Sequence, residues 1–246
     1  MKTVYQEIKK DLSTVCGVPI AGIRALTTID FPGKLAAVLF TKGCPWQCRY
    51  CHNSSLRSCD PDDILSCESV EEFLTTRKDF LEGIVISGGE PTLHGTISDL
   101  LQWLRGFGYK TALHTNGYFP IMLRCLLKKG LLDYIAMDIK APPGIYDRVT
   151  GGNNTSIAVA RSIDIILSSG VDYEFRTTYH PLILSEQELM DTVHIVSRVG
   201  AKRYYLQQFR SQGVTDEVLT HDCTVATIPD SVREEAQKLF EEFEVR

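Results

Sequence analysis

Six short apolar runs, each followed by a stretch of helical periodicity, constrain this chain more than any other feature. The runs are Leu35–Thr41, Gly83–Ser87, Lys110–Thr115, Tyr134–Lys140, Asp172–Tyr179 and Arg203–Gln208. Several are rich in β-branched or aromatic residues, and all are short enough to be strands buried on both faces. Helices are expected over Ile97–Gly106, Ile121–Lys129 and Ser156–Ser168, and after three Ser-x-x-Glu starts at Ser69–Glu72, Ser185–Glu188 and Ser231–Glu234. In such a capping box the serine satisfies an orphan N–H, and the glutamate three residues on reaches back. Strand then helix, repeated without a Pro/Gly/Ser-rich linker, predicts one α/β domain with a parallel sheet. Six such units make a partial, laterally open (β/α)6 barrel or a doubly wound open sheet, and periodicity does not separate the two. Residues 1–20 carry no clear period and read as an N-terminal extension, leaving a single domain over 21–246.

A chain of 246 residues buries an ample core without disulfide staples. Its net charge of -5 gives no electrostatic reason to expect a nucleic acid or an anionic membrane as partner. No apolar stretch approaches the ~18 residues of a membrane span. The first ten residues are charged and lack the apolar core of a signal peptide, so a cytoplasmic location is expected. In that compartment eight cysteines suggest metal binding or catalysis before a disulfide framework. Cys16, Cys125 and Cys223 lack local partners and read as small buried apolar residues.

The chemistry-bearing segments follow strand ends, where parallel α/β folds place their ligands. Cys44 comes just after the first run, Gly88-Gly89-Glu90 ends the second, His114-Thr115-Asn116-Gly117 the third and Asp138-Ile139-Lys140 the fourth. Cys44-Pro-Trp-Gln-Cys48-Arg-Tyr-Cys51 gathers three soft thiol ligands. Three local thiolates leave one iron of a four-iron cluster open, which a reactive site needs and a structural one does not. Cys59 and Cys67 are the distant thiols able to supply a fourth cluster ligand, and the competing reading is a zinc knot completed by Cys59 or His52. Asp138 and Lys140 alternate, so they share one side of a strand, and both need partners if buried.

The triad, with Tyr50 before its last cysteine, resembles the signature of the radical S-adenosylmethionine (SAM) superfamily. Thr28–Lys34, Cys51-His-Asn53, Ile86–Thr92, Thr115-Asn-Gly117 and Met137–Pro142 further resemble the activating proteins of anaerobic ribonucleoside-triphosphate reductase, members of the glycyl-radical-enzyme activases. The resemblance implies the partial barrel and two cofactors, a [4Fe–4S] cluster on Cys44, Cys48 and Cys51 and SAM on its open iron. It implies a SAM site built from Gly88, Gly89 and Glu90, with Glu90 accepting from the ammonium, and Tyr50 near the adenine. Asp138 and Lys140 would reach the same site, and Arg176 and Arg210, near later strand ends, are placed to bind the carboxylate or ribose. Thr115 and Asn116 belong to this site by their motif. Related activases carry Asp where His114 stands, so a monovalent-cation site is in doubt here and His114 is free to bond SAM or the substrate peptide. The implied reaction takes an electron from flavodoxin or ferredoxin, cleaves SAM to a 5′-deoxyadenosyl radical and removes a glycine Cα hydrogen from a partner enzyme. Two rival readings are a small-molecule radical SAM enzyme, such as a 7-carboxy-7-deazaguanine synthase relative, and a non-catalytic zinc or iron–sulfur module.

Overall fold

The computed structural model describes residues 17–60, 63–221 and 227–246. Eight strands form one sheet: β1 (Ile20–Thr27), β2 (Ala36–Thr41), β3 (Gly83–Gly88), β4 (Lys110–Thr115), β5 (Tyr134–Asp138), β6 (Asp172–Tyr179), β7 (Arg203–Gln208) and β8 (Glu242–Val245). Their spatial order is their chain order. β1 lies antiparallel to β2, and every later pair is parallel. A doubly wound sheet reverses its strand order at a switch point; this one never does. Right-handed crossovers that always step the same way leave every helix on one face, and the sheet curls into a partial barrel. β1 and β8 end the sheet, so the barrel is open along one side.

Among the described residues the helices are α1 (Cys67–Arg77), α2 (Ile97–Gly106), α3 (Pro120–Lys128), α4 (Tyr146–Thr150), α5 (Thr155–Leu167), α6 (Glu186–Arg198), α7 (Glu217–His221) and α8 (Asp230–Leu239). Strand residues alternate between the faces. Leu39, Ile84, Ile86, Leu113, Ile135 and Phe175 point outward into one core with Leu74, Leu101, Leu104, Leu126 and Val193 of the helices. Each fully buried side chain of this kind contributes about 1.5–3 kcal/mol. The inner face carries a smaller apolar cluster of Val38, Val85, Ala112, Tyr134 and Ala136, closed by Phe31. Further along the same face the residues turn polar, and that change positions the site.

The six expected strands are present, with ends shifted by at most two residues. β1 and β8 escape the pattern. β1 is half exposed and its pairing with β2 is broken by two irregularities, which dilutes its period. β8 has four residues, two of them glutamate. Of the three expected capping boxes, Ser185–Glu188 forms in full. α1 instead starts at Ser66, whose hydroxyl accepts from the Ser69 N–H. α8 starts after Pro229, so Ser231 lies inside the helix and bonds Glu186. A serine three positions earlier and a preset proline φ each outcompeted the expected start. Of the proposed extension, residues 1–16, including Cys16, lie outside the described residues, as does Cys223; Ile20 already belongs to β1.

Candidate active site

The carboxyl ends of β2 to β5 meet at one rim. The loop after β2 is clasped from both sides: Gly43 N–H donates to Leu56 O at 2.8 Å, Cys44 N–H to Arg57 O at 3.1 Å and Gln47 N–H to Thr150 O at 2.7 Å. From β3, Gly89 N–H donates to Thr41 O at 2.9 Å and Glu90 N–H to Gly43 O at 2.8 Å. This crossing requires the glycine pair. Gly88 has φ +115°, and a Cβ there would stand 2.3 Å from Thr41 O. A Cβ on Gly89 would stand 2.2 Å from Gly43 O. The close approach that the glycines permit is therefore, in the first place, to the backbone of the cysteine loop.

Glu90 is wholly buried, with 0% of its surface exposed. Its Oε1 accepts from Thr92 N–H at 2.9 Å and Thr115 Oγ1 at 2.7 Å, and also from the Thr92 hydroxyl. Its Oε2 accepts from Asn116 N–H at 2.7 Å. Burial pushes the carboxyl up from its ordinary value, and the four donors pull it back. Glu90, expected to take a ligand's ammonium, here ties the end of β3 to the end of β4.

Cys48 is buried, and Cys44 and Cys51 are partly so. Beneath them Trp46 is 1% exposed and packs on Tyr118 and Tyr146, with ring centroids 5.7 and 5.9 Å away. Trp46 thus belongs to the core. Burial pushes the Cys44 thiol up to about 12, with Glu90 and the other two cysteines adding to it. Burial likewise takes Cys48 up to about 11, against the opposing charge of Lys140. Two buried thiols that resist ionisation individually, with a third cysteine beside them, suit a cationic metal group that compensates them together. Tyr50 is buried beside them with a hydroxyl that has no hydrogen-bond partner. An orphaned polar atom next to soft ligands fits a site completed by a polar cofactor. Cys59 is exposed, and Cys67 is disulfide-bonded and so unable to supply a further ligand.

On the inner face Asp138 receives Lys140 Nζ at 2.9 Å and Arg176 Nε at 2.9 Å. Burial would push Asp138 up, but Arg176 and Lys140 together hold it well below the usual carboxylate range. β5 ends at Asp138, because Lys140 N–H leaves the ladder for Tyr146 Oη at 3.0 Å. Lys140 Nζ also lies over the Tyr50 ring, 5.6 Å from its centroid. Arg176 continues to Glu174 at 3.7 Å, and Glu174 to Arg246 at 3.1 Å. Glu174 was not anticipated; its alternation with Arg176 was the available signal. His114 bonds Asp30 O through Nε2 at 2.9 Å and receives Arg176 at Nδ1 at 3.5 Å. A carbonyl only accepts, so the proton sits on Nε2. Burial, then the charge of Arg176, pushes His114 down to about 4. Both ring nitrogens of His114 thus face protein partners. Arg210 stands exposed beyond β7, and its charge, like that of Lys140, reaches His52 of the cysteine loop. Asn53, of the Cys51-His-Asn53 segment, donates to Gly88 O at 3.3 Å.

An open parallel barrel with a three-thiol loop on its rim defines a class, and the sequence comparison agrees. The profile of the Radical SAM superfamily matches residues 38–196. A Methanocaldococcus jannaschii protein named as a glycyl-radical enzyme activating enzyme is 32% identical over 205 residues, covering 80% of this chain and 82% of that one. The pyruvate formate-lyase-activating enzyme of Clostridium pasteurianum is 30% identical over 126 residues, 49% of this chain and 52% of that one. Streptococcus suis SuiB bound to S-adenosylmethionine superposes with a TM-score of 0.56 at 17% identity, over 82% of this chain and 48% of that one, a likeness of fold. The chain spans about half the length of that structure. The chain belongs to the radical SAM superfamily and, within it, groups with the glycyl-radical enzyme activating enzymes. It is accordingly an enzyme whose cofactors are a [4Fe–4S] cluster and SAM.

Proposed function

We propose that this enzyme generates a glycyl radical on a partner enzyme, and that the partner is anaerobic ribonucleoside-triphosphate reductase. The observation that carries the first part is the 32% identity, over 80% of the chain, to a protein named for that activity. The second part rests on the resemblance of Thr28–Lys34, Cys51-His-Asn53 and Met137–Pro142 to that reductase's activators.

Cys44, Cys48 and Cys51 would hold three irons of the cluster, and SAM would bind the fourth. When bound, the reduced cluster and SAM supply a 5′-deoxyadenosyl radical able to take a hydrogen atom from a glycine Cα. The protein supplies position. Asp138, kept ionised by its two cations, holds Lys140 beside Tyr50 and Arg176 on the inner face, where their charges favour the SAM carboxylate. Gly88 and Gly89 press the β3 end against the cysteine loop, and Glu90 locks it to Thr115 and Asn116. Arg210 is left as a rim cation for the ribose or the partner. The open side between β1 and β8 would admit an extended peptide loop, which then shields the radical from water. The reductant is a flavodoxin or ferredoxin, and the setting cytoplasmic. Among the described residues no helix is long and apolar enough to cross a membrane.

The test mixes reduced enzyme, SAM and the reductase and looks for a glycyl radical by electron paramagnetic resonance. Reductase labelled with α-deuteroglycine should pass deuterium into 5′-deoxyadenosine. Label retained on the reductase while SAM is cleaved excludes this partner. Turnover with a small heterocycle alone favours the deazaguanine-synthase reading.

A further inference from the structure

Asn116 closes the end of β4 and is 7% exposed. The protein fixes which way its side-chain amide faces. Oδ1 accepts from the Tyr118 N–H at 2.9 Å, a contact only the oxygen of the amide makes. The backbone N–H of the same residue is held by Glu90 Oε2 at 2.7 Å. The NH2 group is thereby turned toward the cysteine loop, and it donates to Cys44 Sγ at 3.9 Å. Among the described residues it is the one side-chain donor directed at a sulfur of the triad. A buried NH2 needs an acceptor. A neutral thiol is a poor one, whereas a metal-bound thiolate carries the negative charge that makes such a bond strong.

We propose that Asn116 is a positioning residue for the iron–sulfur cluster, whose side-chain amide donates to the Cys44 sulfur and raises the cluster's reduction potential. This rests on the reading that Cys44 is a cluster ligand. One-electron reduction places more negative charge on the sulfurs, so a fixed N–H donor stabilises the reduced state more than the oxidised one. The low local dielectric of a buried site strengthens the effect. The donor is already oriented by Tyr118 and Glu90, so it costs no rearrangement when the electron arrives.

The experiment titrates the cluster of the full-length, anaerobically reconstituted chain against mediators, with electron paramagnetic resonance as readout. Asn116→Leu removes the donor without adding charge. Asn116→Asp also removes it but keeps an acceptor for the Tyr118 N–H. Both should retain iron and sulfide, and both should shift the one-electron equilibrium toward the oxidised cluster. For Asn116→Leu the expected shift is about tenfold, or about 59 mV more negative. In the unmutated chain labelled with 15N-asparagine, the reduced cluster should show a weak 15N coupling that either variant abolishes. Asn116→Leu with a full cluster at the parent potential overturns the inference, as does a parent cluster without 15N coupling. A Cys44→Ser chain that still assembles a full cluster overturns the ligand reading beneath it, a distinguishable result.

Discussion

Replacing Glu90 by alanine should destabilise the fold before it touches any ligand. The carboxylate receives four hydrogen bonds inside a fully buried site. The two threonine hydroxyls can rotate to other acceptors. The N–H groups of Thr92 and Asn116 are backbone and cannot turn away. Each stranded, buried N–H costs about 1–3 kcal/mol, so the pair costs roughly 2–6 kcal/mol before any cavity is counted. A loss near ~4 kcal/mol lowers Tm by roughly 8–16 °C in a chain of this size. Glu90→Gln should lose less, because only the acceptor for Asn116 N–H is exchanged for a donor. Thermal unfolding of anaerobically reconstituted protein, with iron content checked in each variant, measures this. The reasoning fails if Glu90→Ala melts within ~2 °C of the parent while SAM affinity measured by calorimetry falls tenfold or more. That result would make Glu90 a ligand contact and not a brace.

Serine at Cys44, Cys48 or Cys51 should abolish the ~4 iron and ~4 sulfide per chain that a cubane site takes up, while serine at Cys125, on α3, should not; a Cys48→Ser chain with full iron and SAM cleavage contradicts the assignment. His114 is held down to about 4 when folded, against an ordinary ~6.5 when unfolded. As pH falls from 7 to 5 the unfolded chain therefore takes the proton first, and stability should drop by about 2 kcal/mol on this account. His114→Gln should remove that slope in urea titrations at the two pH values, and an unchanged slope would assign it elsewhere. With both its nitrogens facing protein partners and Arg176 beside it, His114 is poorly suited to hold an alkali cation, so SAM cleavage should persist when potassium and sodium are exchanged for a bulky organic cation. Asp138→Asn leaves Arg176 and Lys140 buried with no full countercharge at that position, at a cost of about 3–5 kcal/mol; denaturant unfolding that matches the parent would show the ladder to be solvated.

The repeat of strand and helix was legible because burial on both faces demands uninterrupted apolar runs, and those runs stand in the sequence without help from their neighbours. The same holds for the cysteine loop, since three thiols within eight residues are local by construction. β1 and β8 were not legible: each is an edge strand, held by the pairing of its neighbour more than by its own composition. Whether six units curl or lie flat was also undecided, because strand order is a relation between segments that periodicity does not encode. Tertiary structure likewise decided what the motif residues touch. His114 read as a ligand candidate, yet it pins Asp30, a residue 84 positions away. Glu90 read as a ligand's acceptor, and in the structure its donors come from its own turn, from the last residue of β4 and from the residue after it, 25 and 26 positions on. Glu174 became part of the charged ladder only when β6 was laid between β5 and β7 and Arg246, after β8, came within reach of it. Hydrogen-bonding capacity is a property of a residue, written in the sequence; which partner satisfies it depends on distances that exist only once the strands are side by side.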